Sequence, residues 1–187
     1  MTTRPATVAA VAAFSTVVAP AAADVIGGDA TIVAPFANVG NNNQQMNVLY
    51  AFNEQRGVTL TMDLAVDGGV IAAGTVVDSH YIVYDPVNNS VVGDVIFDDD
   101  ILGVISETSI LAASDFLGAP STNYLNPGLR GLESGDSYMV NGDTITVRFS
   151  ASTPGDYVRV ITLSKIPTPG AAATLALGGL VAARRRR

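Results

Sequence analysis

The sequence predicts an all-β fold: a single antiparallel β-sandwich, jelly-roll-like, flanked by an N-terminal signal helix and a short C-terminal apolar helix. Three observations carry that expectation. Apolar residues recur with period two, turn residues separate the runs at short intervals, and both ends differ sharply in composition from the middle. The 187 residues (19.2 kDa) suffice for one ordinary domain with targeting segments to spare. A hydrophobic content of 48% and a mean hydropathy of +0.35 belong to a chain that packs a core, not to a disordered one.

Taken in order, residues 1–23 read as a cleavable secretory signal. Arg4 supplies the positive start, residues 6–18 form an apolar stretch, and Ala21 and Ala23 place small side chains where signal peptidase inspects them, so cleavage is expected after Ala23. The implied partners are the Sec translocon and signal peptidase. The apolar stretch is short against the roughly 20 residues of a membrane-spanning helix. Residues 24–45, with Gly27-Gly28 and the Asn41 to Gln45 polar tract, are expected to be a partly loose lead-in to the domain.

The expected domain, 24–165, then alternates strands and turns. Within 57–67, Val58, Leu60, Met62, Leu64 and Val66 alternate with polar or small residues, predicting one strand with a buried and a wet face. Residues 144–150 repeat the pattern, with Ile145, Val147 and Phe149 inward. The runs 47–52, 79–84, 91–97, 101–106 and 156–163 are rich in β-branched and aromatic residues. Asn141-Gly142 suits a type I′ hairpin with positive φ at both positions. Asp85-Pro86, Asn88-Asn89, Pro127-Gly128 and Pro154-Gly155 mark further turns. Only 109–117 has helical character.

Composition excludes several chemistries. With no Cys there is no disulfide framework and no thiolate site, and one His cannot build a multi-His metal centre. No cofactor is expected. All 17 acidic residues lie between Asp24 and Asp156, and the only cations of the expected domain 24–165 are Arg56, Arg130, Arg148, Arg159 and Lys165. Such a surface repels polyanions, which rules against nucleic acid as a partner. Asp78, Ser79 and His80 hold the letters of a triad, but neighbours on a strand point to opposite faces, and an edge or half-buried home for His80 is expected. Gly135-Asp136-Ser137 resembles the nucleophile motif of SGNH hydrolases, yet no His follows it, so a turn leading into a strand is the better reading. Asp98, Asp99 and Asp100 are candidate Ca²⁺ ligands; the alternative is a solvated hairpin turn between 95–97 and 101–102. Trp is absent and the six Tyr and six Phe are scattered, so no sugar-stacking platform is visible.

After Lys165 comes a three-part tail. Pro167, Thr168, Pro169 and Gly170 cannot continue a strand or enter a helix interior. Residues 171–183 carry no charge and would make about 20 Å of helix, short of a roughly 30 Å hydrocarbon core and suited to transient membrane contact. Arg184, Arg185, Arg186 and Arg187 close the chain as a basic stop. This tail, 166–187, resembles the PEP-CTERM sorting signal of exopolysaccharide-producing Gram-negative bacteria, with Thr168 where the eponymous Glu would stand. The stretches 113–118, 129–133 and 153–157 are also similar to segments of such proteins. The resemblance implies recognition and removal of the tail by an exosortase, a membrane cysteine protease. The expected product is a non-enzymatic protein of the cell surface or extracellular matrix, delivered after transit through the inner membrane. Two alternatives come from other classes: a carbohydrate-binding module with exopolysaccharide as its ligand, and an extracellular hydrolase using His80.

Overall fold

The computed structural model describes residues 23–152 and 154–164. The signal segment with Ala21, the motif Pro167, Thr168, Pro169 and Gly170, the apolar run 171–183 and Arg184, Arg185, Arg186 and Arg187 lie outside the described residues.

The described chain is mostly β, built of several sheets with chiefly antiparallel pairing. Its first half contains Val25–Gly28 (β1), Thr31–Ile32 (β2), Asn38–Val39 (β3), Leu49–Asn53 (β4), Val58–Thr59 (β5), Leu64–Val66 (β6), Gly69–Ile71 (β7) and Val76–Tyr84 (β8). The second half contains Asn89–Phe97 (β9), Ile101–Ile105 (β10), the helix Thr108–Ala113 (α1), Asn123–Tyr124 (β11), Ser137–Asn141 (β12), Thr144–Ala151 (β13) and Asp156–Leu163 (β14). One sheet has the order β1-β9-β13-β12. The larger runs β10-β14-β8-β4-β2, with β5 on the first residues of β8. Two small pairs, β11 with β3 and β6 with β7, complete the set.

Alternation along each strand decides which sheet face a residue serves. Val95 and Phe97 of β9 and Ile145, Val147 and Phe149 of β13 join Ile82, Tyr84, Val158 and Val160 of the larger sheet in one buried cluster. The opposite face of the larger sheet carries a second cluster, with Phe52, Tyr81, Val83, Tyr157 and Ile161 covered by Leu111 and Leu117 from the helical segment and by Leu60, Leu64 and Ile71. Strands β8 and β14 are therefore buried on both sides, which is why their sequences lack a wet face. Polar residues do occur in them, and Asp78, Ser79, His80, Arg159 and Thr162 all have hydrogen-bonding work.

Several expectations change in detail. The alternating run 57–67 is not one strand: it breaks after Thr59, and β6 turns back on β7 through Asp67-Gly68, where Gly68 has φ +77°. Leu60, Leu64 and Val66 are buried as the alternation requires, but Met62 sits in the break and is exposed. The lead-in 24–45 is part of the fold. Strand β1 closes one edge of the smaller sheet, while Val25, Ala30 and Val39 are buried. In the β12–β13 hairpin Asn141 pairs with Thr144, so the two-residue loop is Gly142-Asp143 and Gly142, φ +65°, carries the positive φ at its first position. The segment 98–100 is no hairpin turn. Strand β9 already has partners on both edges, β1 and β13, so β10 crosses to the other sheet and pairs with β14. The run 156–163 is strand β14 at the bounds its pattern indicated, and Gly135-Asp136 is a turn entering β12.

Candidate functional site

The first and last described residues bond β8 two residues apart, at Asp78 and Val76. Ala23, wholly buried, donates its N–H to Asp78 Oδ2 at 2.6 Å. On the neighbouring strand Thr162 pairs with Asp78 and Leu163 with Val77, and the Ser164 N–H then bonds the Val76 carbonyl at 3.1 Å. Antiparallel pairing of β14 with β8 places the exit of the chain at the start of β8, and Asp78 holds its entrance there. Of the residues the sequence marks for processing, Ala23 is thus at one pole of the domain. The last described residue, three positions before Pro167, is at the same pole.

A polar cluster supports this pole. Asp24 donates its N–H to Asp98 Oδ1 at 2.6 Å and accepts one from Asp98 at 3.1 Å, while its carboxylate binds Arg56 and the Asn53 amide. Asp78 is fully buried; its other oxygen accepts the Gly57 N–H at 2.5 Å, and among the described residues no cation lies within ion-pair distance. His80 lies beneath. Its Nδ1 faces Asn53 Oδ1 at 2.7 Å, its Nε2 faces Thr162 Oγ1 at 3.0 Å, and the ring packs 4.8 Å from that of Phe97. Asn53 Oδ1 accepts, so Nδ1 carries the proton and Nε2 accepts from Thr162. Burial, aided by Arg56, pushes His80 down to about 3, and the imidazole is neutral at ordinary pH. The expected edge or half-buried position is corrected: β8 is interior and His80 is wholly buried. Ser79 points the other way, donating to Glu54 at 2.6 Å.

Sequence reasoning missed the charged cluster on the opposite face. Arg159 projects from β14 with no exposed surface, pairing Nε with Glu54 Oε2 at 2.7 Å and Nη2 with Oε1 at 2.9 Å. Its Nη1 donates to Ser114 Oγ at 2.5 Å, and its guanidinium stacks 5.1 Å from the Tyr81 ring. Arg130, also buried, grips Asp115 with two bonds of 2.9 and 2.6 Å. Burial opposes the charge on Arg159, but Glu54, with Tyr81 and Tyr124, outweighs it and raises the guanidinium above its ordinary value. The signal that could have found this is a lone charge, Arg159, inside the otherwise apolar 157–161. Its partners are 105 residues away in Glu54 and 44 in Asp115, and no local pattern links them. Six of the scattered aromatics converge on the same face: Phe36 meets Tyr50 and Phe52 edge-on, and Tyr81 packs with Tyr124 and Tyr157.

A further acidic pair lies where β14 begins. Burial, reinforced by Asp136 and Glu133, pushes Asp156 up to about 7, and burial raises Asp85 as well, opposed by N–H donors from Gln44 and Gln45. Asp98, Asp99 and Asp100 occupy the crossover between sheets, where the Asp98 carboxylate is engaged with Asp24. Among the described residues no group of three His, Cys, Asp or Glu side chains is arranged to hold a metal ion, so the Asp98, Asp99 and Asp100 candidates do not converge as ligands. A shallow cleft of about 180 Å³ lies beside α1 and is lined by Met62, Leu64, Ile110, Ala113 and Phe116, among others. No helix among the described residues is long and apolar enough to cross a membrane. No family model, no curated protein and no solved structure matches the chain.

Proposed function

We propose that this is an exported, non-enzymatic protein of the cell surface or extracellular matrix: a β-sandwich of jelly-roll type carried out by the Sec machinery and processed at its C-terminus by an exosortase. The observation that carries the reading is the shared pole. A domain whose first and last described residues both lie against residues 76–78 of β8 has the two points at which the addresses join it on one side, which suits their reading at one membrane. Strand β14 is interior to its sheet, so the tail leaves from a firmly held strand and Pro167 follows within three residues. The two-sheet shared core favours a sandwich over other β arrangements.

Two features speak against catalysis and sugar binding. The single imidazole is buried and neutral, held by Asn53 and Thr162, and among the described residues no serine bonds it. Six aromatic rings that a sugar platform could use, those of Phe36, Tyr50, Phe52, Tyr81, Tyr124 and Tyr157, are packed against one another under the larger sheet. Intact-mass measurement of the protein from its native host, with and without the exosortase, tests the reading. A product that begins at Asp24 and ends near Pro169 only when the enzyme is present is the expected result. A chain that keeps Arg187 in the wild type would sink it.

A further inference from the structure

Resting on the export reading, a second consequence follows from the carboxylates that flank the Ala23–Asp24 bond. Asp78 holds the N–H on one side of that bond, from Ala23, and Asp98 holds the N–H on the other, from Asp24, each at 2.6 Å. Hydrolysis of the bond by water leaves a carboxylate on the departing Ala23 and an amine on Asp24, which takes up a proton at neutral pH. The nitrogen that becomes an ammonium is the one already bonded to Asp98. Loss of Ala23 simultaneously takes from buried Asp78 one of its two backbone donors. An ammonium has three N–H groups where the amide had one, so a second can turn into the space Ala23 leaves.

We propose that Asp98 and Asp78 form a receptor for the amino terminus created at Asp24, giving the mature domain an ion pair that the precursor cannot make. A fully buried carboxylate with no cation beside it among the described residues is an unusual thing to retain, because an unpaired buried charge is strongly unfavourable. Processing supplies the missing cation. Among the described residues, the carboxylate of Asp24 itself and Arg56 largely offset each other in their own ion pair, while His80 below is neutral. The crossover at 98–100 thereby acquires a purpose beyond linking the sheets: it closes over β1 and ties the new terminus to it.

The test uses the chain from Asp24 to Arg187 with a free terminal amine, the same chain acetylated at that amine, and the Asp98→Asn variant, with Asp78→Asn as a second variant. The pH dependence of amine acylation reads the amine's proton affinity. The expected titration lies about one pH unit above the ordinary value of about 8, a roughly tenfold gain in proton affinity, and Asp98→Asn brings it back. Acetylation should lower the urea midpoint. Because the folded-state affinity is raised, that difference is full below pH 8 and disappears as pH rises through the folded value. An amine that titrates at its ordinary value, or a shift untouched by both variants, overturns the receptor. Amino-terminal sequencing of the exported protein separates the two ideas. A terminus other than Asp24 in the host overturns processing at this bond, and with it the proposed role, whatever the amine titration gives.

Discussion

Arg159 shows what a single residue does in this protein. Its guanidinium bridges two carboxylates, a serine and a tyrosine ring in a dry layer, and removing it would leave Glu54 buried and uncompensated. Arg159→Met is therefore expected to lower stability by about 3 to 5 kcal/mol, as breaking a buried pair does, read from the urea midpoint. Two other buried residues set opposed pH dependences. For His80 the folded value lies below the unfolded one, so between about pH 6.5 and about 3 the unfolded chain binds the extra proton and stability falls on acidification. For Asp156 the folded value lies above the unfolded one. From about 4 to about 7 the folded chain binds the extra proton, and stability falls as pH rises. His80→Gln should thus flatten the acid limb of a stability profile, and Asp156→Asn should remove the decline toward neutrality, by roughly 1 to 2 kcal/mol after allowance for solvent screening. Unfolding midpoints at several pH values between 3 and 8 check both signs; unchanged profiles would show that these groups titrate alike in both states. The burial of His80 was not visible locally, since it depends on β4 and β14 lying on either side of β8.

Among the elements, β1 depends on one glycine. Gly28 has φ +100°, and a Cβ there would run into the Asp94 carbonyl oxygen of β9. Gly28→Ala should cost about 1 to 3 kcal/mol and free β1 from the sheet edge. Hydrogen exchange would then quicken at Asp29, whose N–H bonds that same carbonyl at 2.7 Å, while β13 stays protected. The short helix α1 holds by packing rather than capping. Its N-cap, Glu107, makes no side-chain capping bond, whereas Leu111 is fully buried in the cluster beneath the larger sheet. Leu111→Ala should lower stability by about 2 to 5 kcal/mol, measured in the same urea titration; an effect under 1 kcal/mol would mean the cover over that face can collapse. Strands such as β13 and β14 were legible because inward and outward residues alternate in the first and apolar residues predominate in the second. The strand expected over 57–67 was not, because alternation records burial alone, and a chain can turn at 60–63 while Leu60 and Leu64 stay buried.

For the whole molecule, the ends matter most. The described domain begins and ends against the same stretch of β8, and all of its described strands lie within residues 25–163. A chain of residues 24–164 is accordingly expected to unfold at the same urea concentration as one of residues 24–187, within the error of the midpoint. A large loss would show that the tail packs on the domain.

The order of residues alone was enough to establish an all-β chain, the inward faces of its long strands and the existence of two end segments unlike the middle, since these follow from local periodicity and composition. Which strands pair, that 98–100 crosses between sheets, that His80 and Arg159 are buried among distant partners, and that Asp78 and Asp98 bracket the bond after Ala23 came from the folded arrangement. Those facts depend on contacts between residues dozens of positions apart, for which a linear pattern holds no record.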